Sequence, residues 1–194
     1  MELDDRISTD VLSRIHGALP KLRHWVDRLL GENASTAKAL DTLGFERLSG
    51  YFPVTLLQTA RVAIVQSIPF PPVDELGLPE FHAMSTMPLG GITFGHMFFA
   101  LDSQFNESLC FHEMIHVVQW NALGFDDFLL TYGVGILQHG YDQSPLEAIA
   151  FAAQALFEAR TAIPALIGAV TTHARTERAT MSALFAQHGI SISP

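Results

Sequence analysis

Positive charge is scarce in this sequence. Only 16% of the 194 residues are charged, and eleven Lys and Arg stand against twenty Asp and Glu, which gives a net charge of −9 at pH 7. Lys21 and Lys38 are the only lysines, and no basic cluster occurs. Because a protein that binds nucleic acid needs a positive face to neutralise phosphates, we expect no nucleic-acid partner.

Cysteine and long apolar segments are scarce as well. The single cysteine, Cys110, excludes an internal disulfide and fits a reducing compartment. The first ten residues, MELDDRISTD, are acidic and lack the apolar core of a signal peptide. The longest run without an ionised residue, 81–101, contains Pro88, Gly90 and Gly91, which argues against a membrane-spanning helix. We therefore expect a soluble, cytoplasmic protein.

The overall composition of the chain is that of a globular protein. Hydrophobic residues make up 48% of the chain, and the length suits a single domain, 1–194. Within it we predict an N-terminal lobe of helix and strand over about 1–68 and a proline-rich connection over 69–80. A core over about 81–160 and a C-terminal helix over 161–194 should follow. The predicted class is α+β, predominantly helical.

The first half of the chain contains three predicted elements. Apolar residues recur at helical spacing over 8–30, where one of residues 8–10 can cap a helix and Pro20 should kink or split it. A second, short helix is predicted over 33–44. The β-branched segment 54–68 should contain a strand.

The second half is more strongly helical. One strand over 90–101 is apolar on both faces and should be buried, with its glycines marking a bulge or a close approach. After it we predict a helix from Asn106 to about Ala122, an irregular stretch over 125–142 interrupted by glycines, and a long helix from Ser144 to about Gln187, kinked near Pro164.

The motif HEMIH, His112 to His116, lies in the helix that begins at Asn106. Residues four apart share one face of a helix, so both imidazoles can reach a single metal ion. The adjacent Glu113 can act as the general base that takes a proton from water. Zinc is the ion that such a pattern usually binds.

The same motif has a second interpretation, an ordinary buried helix. Apolar residues cover most of this helix, and His112, Glu113, His116 and Gln119 form one polar stripe on it. Burying two imidazoles and a carboxylate is costly unless they are coordinated or hydrogen-bonded. Either a metal site or a satisfied network of core hydrogen bonds meets that requirement, and we favour the metal site.

A catalytic zinc site also needs a third protein ligand. The extended pattern HExxHxxGxxH is absent, because Gln119 and Ala122 occupy the positions of its glycine and third histidine. Cys110 lies on another side of the helix, where it should only pack. The candidates for the ligand are Glu147 and, less favoured, Glu158 and His139.

Glu147 has an alternative role of equal weight. Together with Ser144 it forms the pattern S-x-x-E of a capping box, in which the glutamate reaches back to the backbone amide of the cap residue. The spacing of these two residues does not choose between a cap and a ligand.

Three segments, GITFGHMFFALDSQ, FHEMIHVVQW and SPLEAIAFAAQ, together resemble the small bacterial HExxH metallopeptidase-like domains. These belong to the zincins whose third ligand is a downstream glutamate, the gluzincin arrangement. The resemblance covers roughly residues 50–160. It implies a small sheet packed on the active-site helix, followed by a long helix that carries the glutamate. It also implies that strand 91–101 is an edge strand that holds an extended substrate.

The resemblance assigns roles to four residues. His112, His116 and Glu147 would bind zinc, and Glu113 would be the general base. It favours Glu147 as ligand over Glu147 as cap.

Further residues are expected to support such a site. Ligand histidines donate their second ring N–H to an acceptor, for which Asp126, Asp127 and Gln119 are candidates. Amide hydrolysis also needs a donor to the developing oxyanion. The candidates for that donor are Tyr141, His139 and, as a weaker alternative, Tyr132.

Three functions follow as hypotheses. The first is a zinc-dependent metallopeptidase that acts on a peptide or protein substrate. The second is a catalytically inactive zincin-like scaffold that binds a protein partner. The third is a helical interaction domain without metal. The presence of Glu113 favours the first, because a retired site can lose its base while it keeps its ligands.

Overall fold

Helices predominate in the structure, a computed structural model that describes residues 7–192. Within that range seven α-helices accompany a small four-stranded mixed sheet, so the predicted α+β class is confirmed. The helices are α1 (Thr9–Asn33), α2 (Val54–Thr59), α3 (His82–Ser85), α4 (Glu107–Leu123), α5 (Phe125–His139), α6 (Pro145–Glu158) and α7 (Leu166–Gln187). The strands are β1 (Lys38–Ala39), β2 (Arg61–Val65), β3 (Gly91–Phe94) and β4 (Met97–Leu101).

The sheet has the strand order β1-β2-β4-β3. β2 and β4 are parallel, with Arg61 opposite Met97, and the two outer strands are antiparallel to their neighbours. β4 is buried on both faces, as predicted: Phe98 packs in the core that contains α4, and Phe99 packs with Val26 of α1. The sheet therefore lies between α4 and α1, with β3 at one edge.

The chain turns back between β3 and β4, so the prediction of one strand over 90–101 is wrong. Gly95 has φ +63°, whereas His96 does not have a positive φ. A two-residue loop with positive φ at its first position only is a type II′ turn, in which glycine is favoured. The glycine that suggested a bulge therefore forms the turn of a hairpin.

The first helix, α1, is continuous. Ser8 caps it, with its Oγ accepting a hydrogen bond from Val11 N at 3.3 Å. Pro20, predicted to kink or split the helix, does not split it, because α1 runs through this exposed residue. A proline removes one backbone hydrogen bond, but the buried face of α1, including Leu12 and Leu19, packs against α5 and α7 and holds the helix together.

The prediction of a short helix over 33–44 is wrong. β1 occupies part of this segment and pairs with β2, with Lys38 opposite Val62, and a 3-10 turn covers Leu40–Thr42. Pairing with the sheet overrides a weak local helix preference here. The strand predicted within 54–68 is confirmed as β2, which directly follows α2.

The motif helix, α4, has the predicted ends. Asn106 Oδ1 accepts a hydrogen bond from Leu109 N at 2.9 Å, and Gly124, with φ +76°, ends the helix. α4 contacts the sheet and helices α5, α6 and α7, which explains why it is apolar nearly all round. It is the central helix of the fold.

Residues 125–142, predicted to be irregular, instead form helix α5 over most of their length. Its glycines allow close packing: a Cβ on Gly133 would lie 3.3 Å from the Phe81 ring, and a Cβ on Gly135 would lie 3.2 Å from Pro145 Cδ. Such contacts leave no room for a larger side chain without movement of the neighbour. Gly133 therefore brings α5 close to Phe81 and Gly135 brings it close to α6, and neither glycine interrupts the helix.

The long helix predicted from Ser144 to Gln187 is two helices, α6 and α7. Pro145 is at the first position of α6, as predicted. Between the helices Arg160 and Ala165 have φ values of 56° and 52°, which lie in the left-handed region. Pro164 has no N–H to continue a helix, and it disfavours helical geometry at the residue before it, so the chain breaks instead of kinking.

The proline-rich connection, 69–80, packs against helices. Its buried residues Val73 and Leu78 belong to the same apolar cluster as α1, α5 and α7. The strands on the two sides of this connection, β2 and β4, pair in one sheet. Across residues 7–192 no helix has both the length and the apolar character of a membrane span.

Two helical glycines provide a test of the packing. No atom of the described residues lies within 4 Å of a Cβ placed on Gly17 of α1, so Gly17→Ala should raise the free energy of unfolding by about 0.5–1 kcal/mol. Gly135→Ala should lower it, because the new methyl group meets Pro145. Urea unfolding of both variants measures the difference. Equal stabilisation by both would contradict the close packing of α5 on α6.

Candidate metal centre

Three donor atoms, two from α4 and one from the first turn of α6, lie close together. His112 Nε2 and His116 Nε2, from α4, lie 3.1 Å apart. Glu147 Oε2, from the first turn of α6, lies 3.3 Å from the first nitrogen and 3.4 Å from the second. All three residues are buried. They form the kind of group that can bind a metal ion.

The capping-box interpretation of Glu147 is wrong in this structure. Ser144 makes no side-chain capping hydrogen bond at the start of α6. The Glu147 carboxylate instead faces the two imidazoles, and its Oε1 accepts a hydrogen bond from Tyr132 Oη at 2.6 Å. Because Tyr132 occupies one carboxylate oxygen, Oε2 remains directed at the histidines.

Two glutamines determine which nitrogen of each ring carries a proton. Gln119 Nε2 donates to Leu146 O at 2.9 Å, which leaves Gln119 Oε1 to accept from His116 Nδ1 at 2.8 Å. Gln154 Oε1 lies 3.0 Å from His112 Nδ1, while Gln154 Nε2 donates to the Ser108 hydroxyl. Each imidazole thus donates from Nδ1, and a neutral ring then presents an unprotonated Nε2 to the centre of the group.

The three donor atoms of this group repel one another electrostatically. Two nitrogen lone pairs and a carboxylate oxygen meet in a space from which water is nearly excluded, since His112, His116 and Glu147 are only 4%, 5% and 2% exposed. Lone pairs at such distances repel one another unless a cation lies among them. A proton or a metal ion satisfies the group, and the donor set fits a metal ion.

In the metal-free protein a proton fills this role. Burial favours a neutral ring, but the Glu147 carboxylate outweighs it and raises the pKa of His116 to about 9. Burial likewise favours a neutral acid, but the two imidazoles, His116 first, hold the pKa of Glu147 far below its usual range. At neutral pH the metal-free group is therefore an imidazolium beside a carboxylate.

Glu113 lies next to this group on α4. It is buried, and its Oε2 accepts a hydrogen bond from Thr93 Oγ1 of β3 at 2.6 Å. A Cβ on Gly91 would lie 2.8 Å from Glu113 Cδ, so only glycine lets the carboxylate approach the strand this closely. Burial raises the pKa of Glu113 above 4.5, which makes the ionised side chain a stronger base.

The two tyrosines and the histidine proposed as oxyanion donors occupy different places. The hydroxyl of Tyr132 donates a hydrogen bond to Glu147. Tyr141 borders the same cavity as Glu113 and Glu147, and burial raises its pKa, so its hydroxyl stays protonated. His139 is exposed at the end of α5 and does not line that cavity.

The remaining candidates lie away from the donors. Asp126 pairs with Arg23 at 2.7 Å and Asp127 with Arg178 at 2.8 Å. Of the candidates for accepting the second ring N–H, Gln119 therefore fills that role and the two aspartates do not. Glu158 accepts a hydrogen bond from Ser108, and free Cys110 is buried in the core, as expected for packing.

Two contributing residues, Gln154 and Thr93, were missed from the sequence, and each carried a weak signal. Gln154 lies seven residues after Glu147 on α6, a spacing of two turns that places both on one face. Thr93 lies two residues after Gly91 on β3 and so shares the face toward α4 with that glycine, whose predicted close approach is confirmed. The supporting role of Tyr132 has no signal in the sequence, because it depends on how α5 meets α6.

A cavity of about 120 Å³ adjoins the group. Glu113, His116 and Glu147 line one part of it. Apolar side chains of α1, residues 70–89, β3 and α5 form most of the remaining walls. The carboxylate of Glu113 and two of the three donor residues, His116 and Glu147, thus border one apolar chamber.

The geometry defines a buried His-His-Glu group with an adjacent carboxylate and a cavity. Neither a model of a protein family, nor a curated protein, nor a solved structure matches this chain. The resemblance to the zincins therefore remains a prediction that rests on the motifs.

The proton held by the metal-free group leads to a pH dependence. A metal ion must displace that proton, so affinity should rise about tenfold per pH unit below the His116 pKa of about 9 and level off above it. Titration calorimetry with zinc, in buffers of different protonation enthalpy, measures the protons released. The expected value is about one or more per ion at neutral pH. Release of none, with affinity independent of pH, would contradict the assigned protonation state.

The glutamine that orients His112 provides a second test. Gln154→Leu removes the acceptor of the Nδ1 proton and should weaken zinc binding by roughly ten- to a hundredfold, with the helical circular dichroism unchanged. Gln138→Leu, at a half-buried position of α5, is the matched control and should bind as the parent does. Competition with a chromophoric chelator measures both affinities. Equal affinity of the two variants would show that Gln154 does not position the ring.

Proposed function

We propose that this chain is a zinc-dependent metallopeptidase. The observation that carries the proposal is the convergence of His112, His116 and Glu147 on one buried point beside the carboxylate of Glu113. Two imidazoles and one carboxylate are a known ligand set of catalytic zinc, which keeps a fourth position free of protein ligands.

The spacing of the donors supports zinc. Donors about 2.0–2.1 Å from a tetrahedral ion lie about 3.3–3.4 Å from one another. The three distances among the donor atoms are 3.1, 3.3 and 3.4 Å. Larger ions such as calcium prefer six to eight oxygen donors, which this group does not offer.

Glu113 would perform the proton transfers. When bound, zinc supplies Lewis acidity that polarises a carbonyl group and makes water acidic. Glu113 accepts a proton from water as the water oxygen attacks the carbonyl carbon. It then returns this proton to the leaving nitrogen as the C–N bond breaks, and Thr93 holds the carboxylate in place by its hydrogen bond. Tyr141 is the proposed donor to the oxyanion.

The position of β3 supports a peptide as substrate. Leu101 N donates to Gly90 O, which by alternation turns the backbone groups of Gly91 and Thr93 away from β4. The indole of Trp120 already donates to Thr93 O at 3.2 Å. An extended substrate would therefore add to the edge of the sheet at Gly91, beside Glu113.

A metal-holding scaffold is the second candidate function. The observation that favours it is the burial of the donors, since structural zinc sites are closed to solvent. Such a scaffold would bind a protein partner and would not hydrolyse it. The two functions differ in what Glu113 does, because a scaffold has no use for a general base.

Two variants test the proposal. His116→Ala should abolish zinc binding, because the group loses one of its three ligands. Glu113→Gln should keep one zinc ion per chain but lower the rate of peptide cleavage by a hundredfold or more, on the order expected for loss of a general base. Zinc content by elemental analysis and cleavage of a degenerate peptide mixture by mass spectrometry provide the readouts.

The outcomes separate the candidates. Cleavage by Glu113→Gln at the rate of the parent would show that Glu113 is not the base. Zinc binding by the parent without cleavage of any peptide in the mixture would favour the scaffold. Zinc bound as tightly by His116→Ala as by the parent would contradict the metal centre itself.

A further inference from the structure

The cavity beside the candidate metal centre is almost wholly apolar. Leu19 of α1, Phe70 and Leu78 of the segment before β3, and Ile136 of α5 are among its walls. Within residues 7–192, the ionisable side chains that line it are Glu113, His116, Glu147 and two tyrosines. A chamber of this composition adjoins the point where the substrate carbonyl would lie.

We propose that this cavity receives an apolar side group of the substrate, of about the size of a leucine or phenylalanine side chain. The enzyme would then act on peptides that carry such a group next to the bond that is cleaved. This inference rests on the proposed function and adds the class of substrate to it.

The volume supports a group of this size. A dry apolar cavity of about 150 Å³ is large enough to bind benzene in another protein. The cavity described here, about 120 Å³, is slightly smaller and suits one aliphatic or aromatic side chain. It does not have room for several residues of a peptide.

The electrostatics exclude charged groups. A charged side chain in this chamber would lose its water among apolar walls. Glu147 is engaged by Tyr132 and the histidines and Glu113 Oε2 by Thr93, and the proposed reaction requires the other oxygen of Glu113 to remain available to water. An acidic side chain would in addition be repelled by these two carboxylates. Apolar groups gain from the same desolvation.

The walls of the cavity are held in place before any ligand arrives. Arg14 of α1 donates to Gly77 O at 2.8 Å and to both carboxylate oxygens of Glu80, which ties the segment before β3 to α1. Phe81 packs against Gly133 of α5. A pocket that is already formed binds its ligand without the entropic cost of ordering its walls.

Hydroxamic acids test the proposal, because the hydroxamate group binds zinc whatever the side group is. The zinc-loaded full chain is titrated by calorimetry with acetohydroxamic acid, with a hydroxamic acid that carries a benzyl group, and with one that carries a carboxyethyl group. The benzyl compound should bind roughly ten- to a hundredfold more tightly than acetohydroxamic acid. The carboxyethyl compound should bind no more tightly than acetohydroxamic acid.

Substitutions in α1 locate the effect in this cavity. Leu19→Phe narrows the cavity and should remove the preference for the benzyl compound, while acetohydroxamic acid binds as before. Leu12→Phe is the matched control, because Leu12 is buried on the same helix but does not line the cavity, and it should keep the preference. Should Leu19→Phe fail to fold, Leu19→Ala widens the cavity and should favour a naphthylmethyl group over benzyl.

Three outcomes of these titrations would contradict the cavity proposal. If all three compounds bind equally to zinc-loaded protein, the cavity proposal is wrong while the metal centre stands. If Leu19→Phe folds and keeps the preference as Leu12→Phe does, the apolar group binds elsewhere and the proposal is likewise wrong. If the chain takes up no zinc, the proposed function fails and the proposal fails with it.

Discussion

The close approach of three buried donor atoms is the constraint on which the rest of the structure depends. The Nε2 atoms of His112 and His116 and one oxygen of Glu147 lie within 3.4 Å of each other. Hydrogen bonds from the Nδ1 side of each ring keep these lone pairs directed inward. A cation at the centre turns a costly arrangement into a stabilising one, and in its absence a proton must take that place. The group is therefore stable only when it holds either a metal cation or a proton.

The rest of the fold can be understood as support for this point. α4 is enclosed by the sheet and three helices, so its polar stripe is shielded from water. Gly135 lets the first turn of α6 approach α5 closely, which brings Tyr132 of α5 to Glu147 of α6. On the other side, Gly91 leaves room for Glu113 against the edge strand. Two glycines thus permit close approaches on either side of the metal centre.

Local patterns in the sequence predicted what depends on local geometry. The cap at Asn106 and the shared face of His112 and His116 follow from the helical period alone. Glu147 remained ambiguous, because a cap and a ligand have the same spacing and only the packing of α6 on α4 separates them. Helix α5 was missed for a similar reason: whether Gly133 breaks a helix or lets one pack closely depends on what lies opposite, here the Phe81 ring. The amide of Gln154 reaches His112 across two helices, which no spacing within either helix reveals.

The most direct test of this account is an X-ray absorption spectrum at the zinc edge of protein loaded with one equivalent of zinc. The account predicts about four nitrogen and oxygen donors at about 2.0–2.1 Å, with the outer-shell scattering of two imidazole rings and no sulfur. A sulfur shell near 2.3 Å would implicate Cys110 or an intermolecular site instead. A spectrum without imidazole scattering would show that the ion does not lie between His112 and His116, and would contradict the account.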